Sequence, residues 1–208
     1  MRFALTTTVV TLFVVCVSQT TPHARSARDT VSIAKAAASA DRAQAANPAA
    51  MATKAFQDRI REYVVLRNKV EDTVPQLTET SNPAKISARE RALGEALIKA
   101  RSSAKPGDLL VKEYVPYLEQ TIRADFAKRT AAERKALIIE LPKGVKIGIN
   151  MLYPTTIPLA TFPPNLLKAL PDLPPELEYR IVYRNLILRD VEGNYVADIV
   201  TNVFPIPM

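Results

Sequence analysis

The 208-residue chain predicts an α+β fold: about four amphipathic helices, then a proline-rich strap, then a C-terminal antiparallel three-stranded β-meander. Three observations carry this. Apolar residues recur every three to four positions from 53 to 141, which is the helical period. Eight of the sixteen prolines fall between 142 and 175. From Leu177 onward apolar and polar residues alternate with period two, around Gly193-Asn194.

Residues 1–27 read as a signal peptide. Met1-Arg2 gives a short positive start, and Phe3 to Val17 is apolar without a charge. That run is short for a bilayer core of ~30 Å at 1.5 Å per residue, and it suits a cleaved export signal. Ser18, Ala24 and Ala27 are small enough to precede the cut. Cys16 would carry lipid only behind a small residue, and Val15 stands there. Cleavage removes Cys16 and removes or strands His23, leaving a body without cysteine, histidine or tryptophan. Such a body holds no disulfide, and it lacks the residues for Ser-His-Asp or Cys-His catalysis and for most zinc or haem sites. No cofactor and no metal site is expected. The expected location is the periplasm or the exterior.

Residues 28–52 are alanine-rich with no apolar stripe, so a flexible spacer is expected up to about Asn47-Pro48. The helical region, 53–141, opens with Phe56, Ile60, Tyr63, Val64 and Val70 on one face and stops before Pro75. Asn82-Pro83 caps a second helix with Ile86, Leu93, Ala96, Leu97 and Ala100 inward. Asp108 is placed to cap a third, whose stripe runs Leu110, Tyr114, Tyr117, Leu118, Thr121, Ile122, Asp125 and Phe126. Pro116 should kink it or split off its first turn. Thr130 to Glu133 spells a capping box for a fourth, carrying Leu137, Ile138 and Leu141.

The strap, 142–176, is too rich in proline for a long helix or a central strand, with one short helical turn at residues 165–170. In the meander, 177–208, turns at Arg184-Asn185 and Gly193-Asn194 put Tyr179 opposite Asp190 and Arg189 opposite Asp198. One face then carries Tyr179, Ile181, Tyr183, Leu186, Leu188, Asp190, Tyr195, Ala197 and Ile199. The other carries Arg180, Val182, Ile187, Arg189, Val191, Val196, Asp198 and Val200. The first is the core face, so truncating Leu188 should cost more than truncating Ile187.

Charge narrows the partners. The net charge is +7, and the excess lies in 28–141, with 20 Lys and Arg against 15 Asp and Glu. Acids and bases alternate there along exposed faces, unlike the clustered bases of a nucleic-acid footprint. An anionic envelope component or another envelope protein is the expected class of partner. No catalytic residue is assigned. Asp190, alone on an apolar face, and Glu178 are the carboxylates a histidine-free hydrolase would have to use. Glu176 and Glu178 together lack the tryptophan platforms of a glycosidase cleft. Asp190, Glu192, Asn194 and Asp198 lack the distal glutamate of a calcium loop. Ser102 to Lys105 matches S-x-x-K without the companion tripeptides of the penicillin-recognising enzymes. Asp125 is expected to pair with a base or a tyrosine hydroxyl.

The segments LPPELEYRIV and NLILRDVEGNYVADIV resemble the C-terminal hairpin of small exported proteins of Gram-negative bacteria with no assigned activity. The likeness covers about the last forty residues. It implies an envelope location and transfers no catalytic residue. The expected protein is therefore a binding or structural module of the envelope, with a paired-carboxylate hydrolase as the alternative.

Overall fold

The computed structural model describes residues 47–138, 145–159 and 161–205. Residues 1–46, which include the stretch read as a signal peptide, Cys16, His23 and most of the stretch expected to be a spacer, lie outside the described residues, as does Leu141. Among the described residues, five helices and a four-stranded antiparallel sheet make an α+β protein: α1 Pro48–Glu71, α2 Pro83–Ala100, α3 Val115–Ala127, α4 Ala131–Leu137, β1 Met151–Leu152, α5 Pro164–Ala169, β2 Leu177–Val182, β3 Asn185–Asp190 and β4 Tyr195–Val200.

The helix ends follow local chemistry. Asn47 and Asn82 each accept the N–H two residues on, and each is followed by proline in the first turn, where a missing N–H matters least. Helix α1 thus opens inside the 28–52 stretch, on the Asn-Pro signal itself. Thr130 and Glu133 form the reciprocal capping box of α4. Helix α3 loses its first turn, one of the two outcomes expected of Pro116, while the expected Asp108 cap is not used. It starts at Val115, with Pro116 in its first turn. Asp108 caps no helix; it accepts the Lys105 N–H at 2.9 Å. The proline separated the Leu110 turn from the helix, since a proline deeper in the helix would clash with the preceding turn.

The sheet runs β1-β4-β3-β2, so the strap supplies a fourth strand that the proline pattern concealed. Its helical side meets α1, α2, α3 and α5 in one core, where Phe56 stacks on Tyr114 at 4.8 Å. Ile86 is an exception to the predicted α2 stripe and lies 44% exposed near the first turn. The other side of the sheet is also dry. Tyr153 and Ile157 from the strap cover Val182, Ile187, Val196 and Ile199. The expected mixed face is a second core, and Ile187 is as fully buried as Leu188.

The strand register differs from the sequence expectation in two instructive ways. The first turn is Tyr183-Arg184, one residue early, so Tyr179 pairs with Leu188 and Leu177 with Asp190. That slides the pairing by two positions, and side chains alternate with period two, so every β2 and β3 residue keeps its face. Tyr183 takes up the left-handed conformation (φ 54°) at the turn. The second turn is Val191 to Asn194, and an irregularity follows: Arg189 pairs with Val196, but Leu188 pairs with Asp198. The extra residue, Ala197, is a β-bulge, and it exchanges the faces of everything after it. Ile199 turns to the strap, and Asp198 turns to the helices.

Candidate functional site

Asp190 ends β3 with none of its surface exposed. Its carboxylate accepts the Gly193 N–H at 2.8 Å, the Tyr63 hydroxyl at 2.8 Å and Arg67 Nε at 3.4 Å. Tyr63 and Arg67 are one turn apart on α1, so a single helix face supplies both donors. Arg67, 3% exposed, also binds Glu71 and Glu192, and Glu71 reaches Arg89 of α2 at 2.9 Å. Burial pushes the Asp190 carboxyl above its usual range, against the pull of the Gly193 amide, Tyr63 and Arg67. The Tyr63 hydroxyl is pushed far up by burial and by the facing carboxylate, so it stays a donor.

Asp198 is a second buried carboxylate with no exposed surface. The predicted pair with Arg189 does not form, because the bulge turns Asp198 to the other side of the sheet. It accepts the N–H groups of Gly107, Leu109 and Leu110 at 3.0, 2.7 and 2.8 Å, and that of Ile199 at 2.7 Å. Burial raises its carboxyl as well, opposed by these amides. Beside it Arg101 donates to the Ala197 carbonyl at 2.6 Å and to the Tyr195 hydroxyl at 3.1 Å, with its guanidinium over the Tyr63 and Tyr195 rings. Strand β1 pairs with β4 only at Tyr195 and Val196. Beyond that point Arg101 and Asp198 engage the backbone of Ala197 and Ile199.

Glu178 lies on the strap side of the sheet. It binds Arg189 at 2.7 Å and Arg180 at 2.5 Å. Burial raises its carboxyl, but the two arginines outweigh that and hold it below the usual glutamate range. Arg189 also donates to Asn194 at 2.8 Å and lies over the Tyr153 ring. Glu178 pairs across strands with Arg189 and Asp190 pairs with Leu177, so the two candidate carboxylates project from opposite faces of the sheet. The structure does not bring them together. Asp125 pairs with Arg129 on the next turn of chain at 2.5 Å.

Among the open grooves at the surface of the described residues, two are the more voluminous. One, of about 850 Å³, runs past Tyr63, Arg101, Asp108, Glu113 and Ile199. The other, of about 790 Å³, lies between α1 and α2. Neither is lined by Asp190 or Glu178. Among the described residues no group of three or more Asp, Glu, His or Cys is placed to hold a metal, and no helix is long and apolar enough to cross a membrane.

Arg67 was not singled out from the sequence, and Asp198 was placed on the wrong side of the sheet as a partner for Arg189. Arg67 was visible in principle: it continues the inward series Phe56, Ile60, Tyr63 at helical spacing, and an arginine there requires an acid opposite. The burial of Asp198 had no local signal, because three of its four amide partners lie some ninety residues earlier. Comparison with protein-family profiles, with curated proteins and with solved structures yields no match.

Proposed function

We propose that this chain is an exported protein of the bacterial envelope, periplasmic or secreted, that acts as a binding or structural module rather than as an enzyme. The observation that carries the reading is the use made of its buried carboxylates. Asp190 and Asp198 each spend their acceptor capacity on holding α1 and the Gly107 to Leu110 turn against the sheet. Glu178 is held ionised between two arginines on the opposite face. A general acid or base needs a substrate proton within hydrogen-bond reach, and these groups are already engaged. Neither of the two larger grooves is lined by Asp190 or Glu178, and a partner would meet the grooves on the helical surface. Export is supported by the positive start and the uncharged run Phe3 to Val17.

The test is N-terminal sequencing of the protein recovered from the envelope fraction of its own cells. The expected first residue falls between 19 and 28, and an intact Met1 overturns export. Purified full-length protein and an Asp190→Asn variant are then compared on broad ester, phosphoester and glycoside panels. The expected outcome is no turnover by either protein. Hydrolysis by the wild type that Asp190→Asn abolishes would restore the hydrolase alternative.

A further inference from the structure

We infer that the groove between α1 and α2 is a docking site for an amphipathic helix of another envelope protein, one that carries acidic residues on both shoulders of its apolar stripe. The inference rests on the binding-module reading above and names the site and the kind of partner.

The two helices run antiparallel. Glu71 of α1 meets Arg89 near the start of α2, and Tyr63 lies under Arg101 just past its end. Between them the floor is formed by Val65, Leu66, Val70, Ala96 and Ala100. Val65 is 57% exposed in the middle of an otherwise charged face, and alanines on α2 leave the hollow unfilled. From Glu62 to Val70 the groove follows α1 for about 12 Å, a little over two helical turns, and it runs on to Thr73 past the helix end. That is the footprint of a short helix seated by residues at i, i+3 or i+4, and i+7.

Charge decides the rest. On α1, Lys54, Arg59, Arg61 and Arg67 are each paired with a carboxylate. Lys69, on the α1 wall of the groove, is the exception among the described residues, and Lys99, on the α2 wall, also has no ion pair. The one acid on the rim, Glu62, is taken by Arg59 at 2.8 Å. An apolar hollow with an unpaired cation on each wall is the complement of an apolar stripe flanked by acids, as at the e and g positions of a coiled coil.

The experiment places a benzoyl-phenylalanine photocrosslinker at Val65 of the full chain in its own cells, with the same probe at exposed Asp172 as the control. Captured segments are identified by mass spectrometry. The Val65 probe should capture an envelope-protein segment with helical apolar spacing and acidic flanks. The paired reversal Lys69→Glu with Lys99→Glu should lower that yield about tenfold and leave the Asp172 background unchanged. Capture of lipid alone, of a second copy of this chain, or of nothing above the Asp172 background overturns the proposal, and so does a yield indifferent to the reversals. The N-terminal sequence reads export separately, so failure of the address and failure of the groove are distinguishable.

Discussion

Gly94 of α2 and Gly193 of the β3–β4 turn meet backbone to backbone. A Cβ added at Gly94 would stand 2.3 Å from the Gly193 carbonyl oxygen and 2.3 Å from Leu152 Cδ2. The same turn is held from beneath by Asp190, which accepts the Gly193 N–H. Helix α2, the turn and the strap strand therefore converge where no side chain fits.

Gly94→Ala should accordingly destabilise the fold. Alanine favours helix over glycine by about 1 kcal/mol, but here its methyl must displace backbone, and overpacking of this kind costs about 1–3 kcal/mol or more. Urea unfolding should show a net loss. An unchanged or raised midpoint would mean that α2 and the turn do not touch.

Ile187 and Leu188 test the two-sided sheet. Each is wholly buried, Ile187 under the strap and Leu188 under the helices. Both alanine variants should lose ~2–5 kcal/mol. If Ile187→Ala proved nearly neutral in chemical denaturation while Leu188→Ala did not, the strap would not cover the sheet.

Arg67 stands among Asp190, Glu71 and Glu192. Removing it leaves the Asp190 carboxylate buried without its cation. Arg67→Met should cost about 3–5 kcal/mol, and adding Asp190→Asn should recover part of that. A double variant no better than the single would show that Asp190 does not depend on the arginine.

Stability should also depend on pH in a stated direction. The Asp190 and Asp198 carboxyls lie above the ordinary aspartate value of 3.8, chiefly through burial. Between that value and the raised one the native state binds more protons than the unfolded chain, so the free energy of unfolding falls as pH rises through the window and is level above it. Glu178, held below its ordinary 4.5, works oppositely: its contribution is present above that value and is lost as pH falls through the folded one. Melting temperature should therefore peak on the mildly acidic side, and Asp198→Asn should flatten the decline toward neutral pH. A wild-type profile rising steadily to neutral pH would contradict these assignments.

Much of this architecture could be read from residue spacing alone. Phe56, Ile60 and Tyr63, the Asn-Pro caps and the Thr130 to Glu133 box are local patterns, and local patterns decide helices. The faces of β2 and β3 survived a misplaced turn because a slip of two conserves parity. Other features depend on distant partners. The bulge at Ala197 accompanies amides at Gly107, Leu109 and Leu110 that need the Asp198 carboxylate, and nothing within β4 announces it. Strand β1 is two residues long, too short to register as alternation. The candidate site was legible to the extent that Asp190 stood out as a charge on an apolar face beside a glycine turn; Gly193 is local to it, whereas Tyr63 and Arg67, which also hold it, come from elsewhere in the chain.

The bulge has one more consequence. Among the described residues strand β4 has no paired strand on its β1 side past Val196, and an unpaired strand border is a template on which other chains can grow into fibres. Here the kink, the Arg101 cap on the Ala197 carbonyl and the Asp198 hold on the Ile199 amide close that border from within the molecule. Asp198 is thus a guard against self-assembly as well as a tether, and an Asp198→Ala chain, left with no acceptor for these amides, should precipitate before it has unfolded.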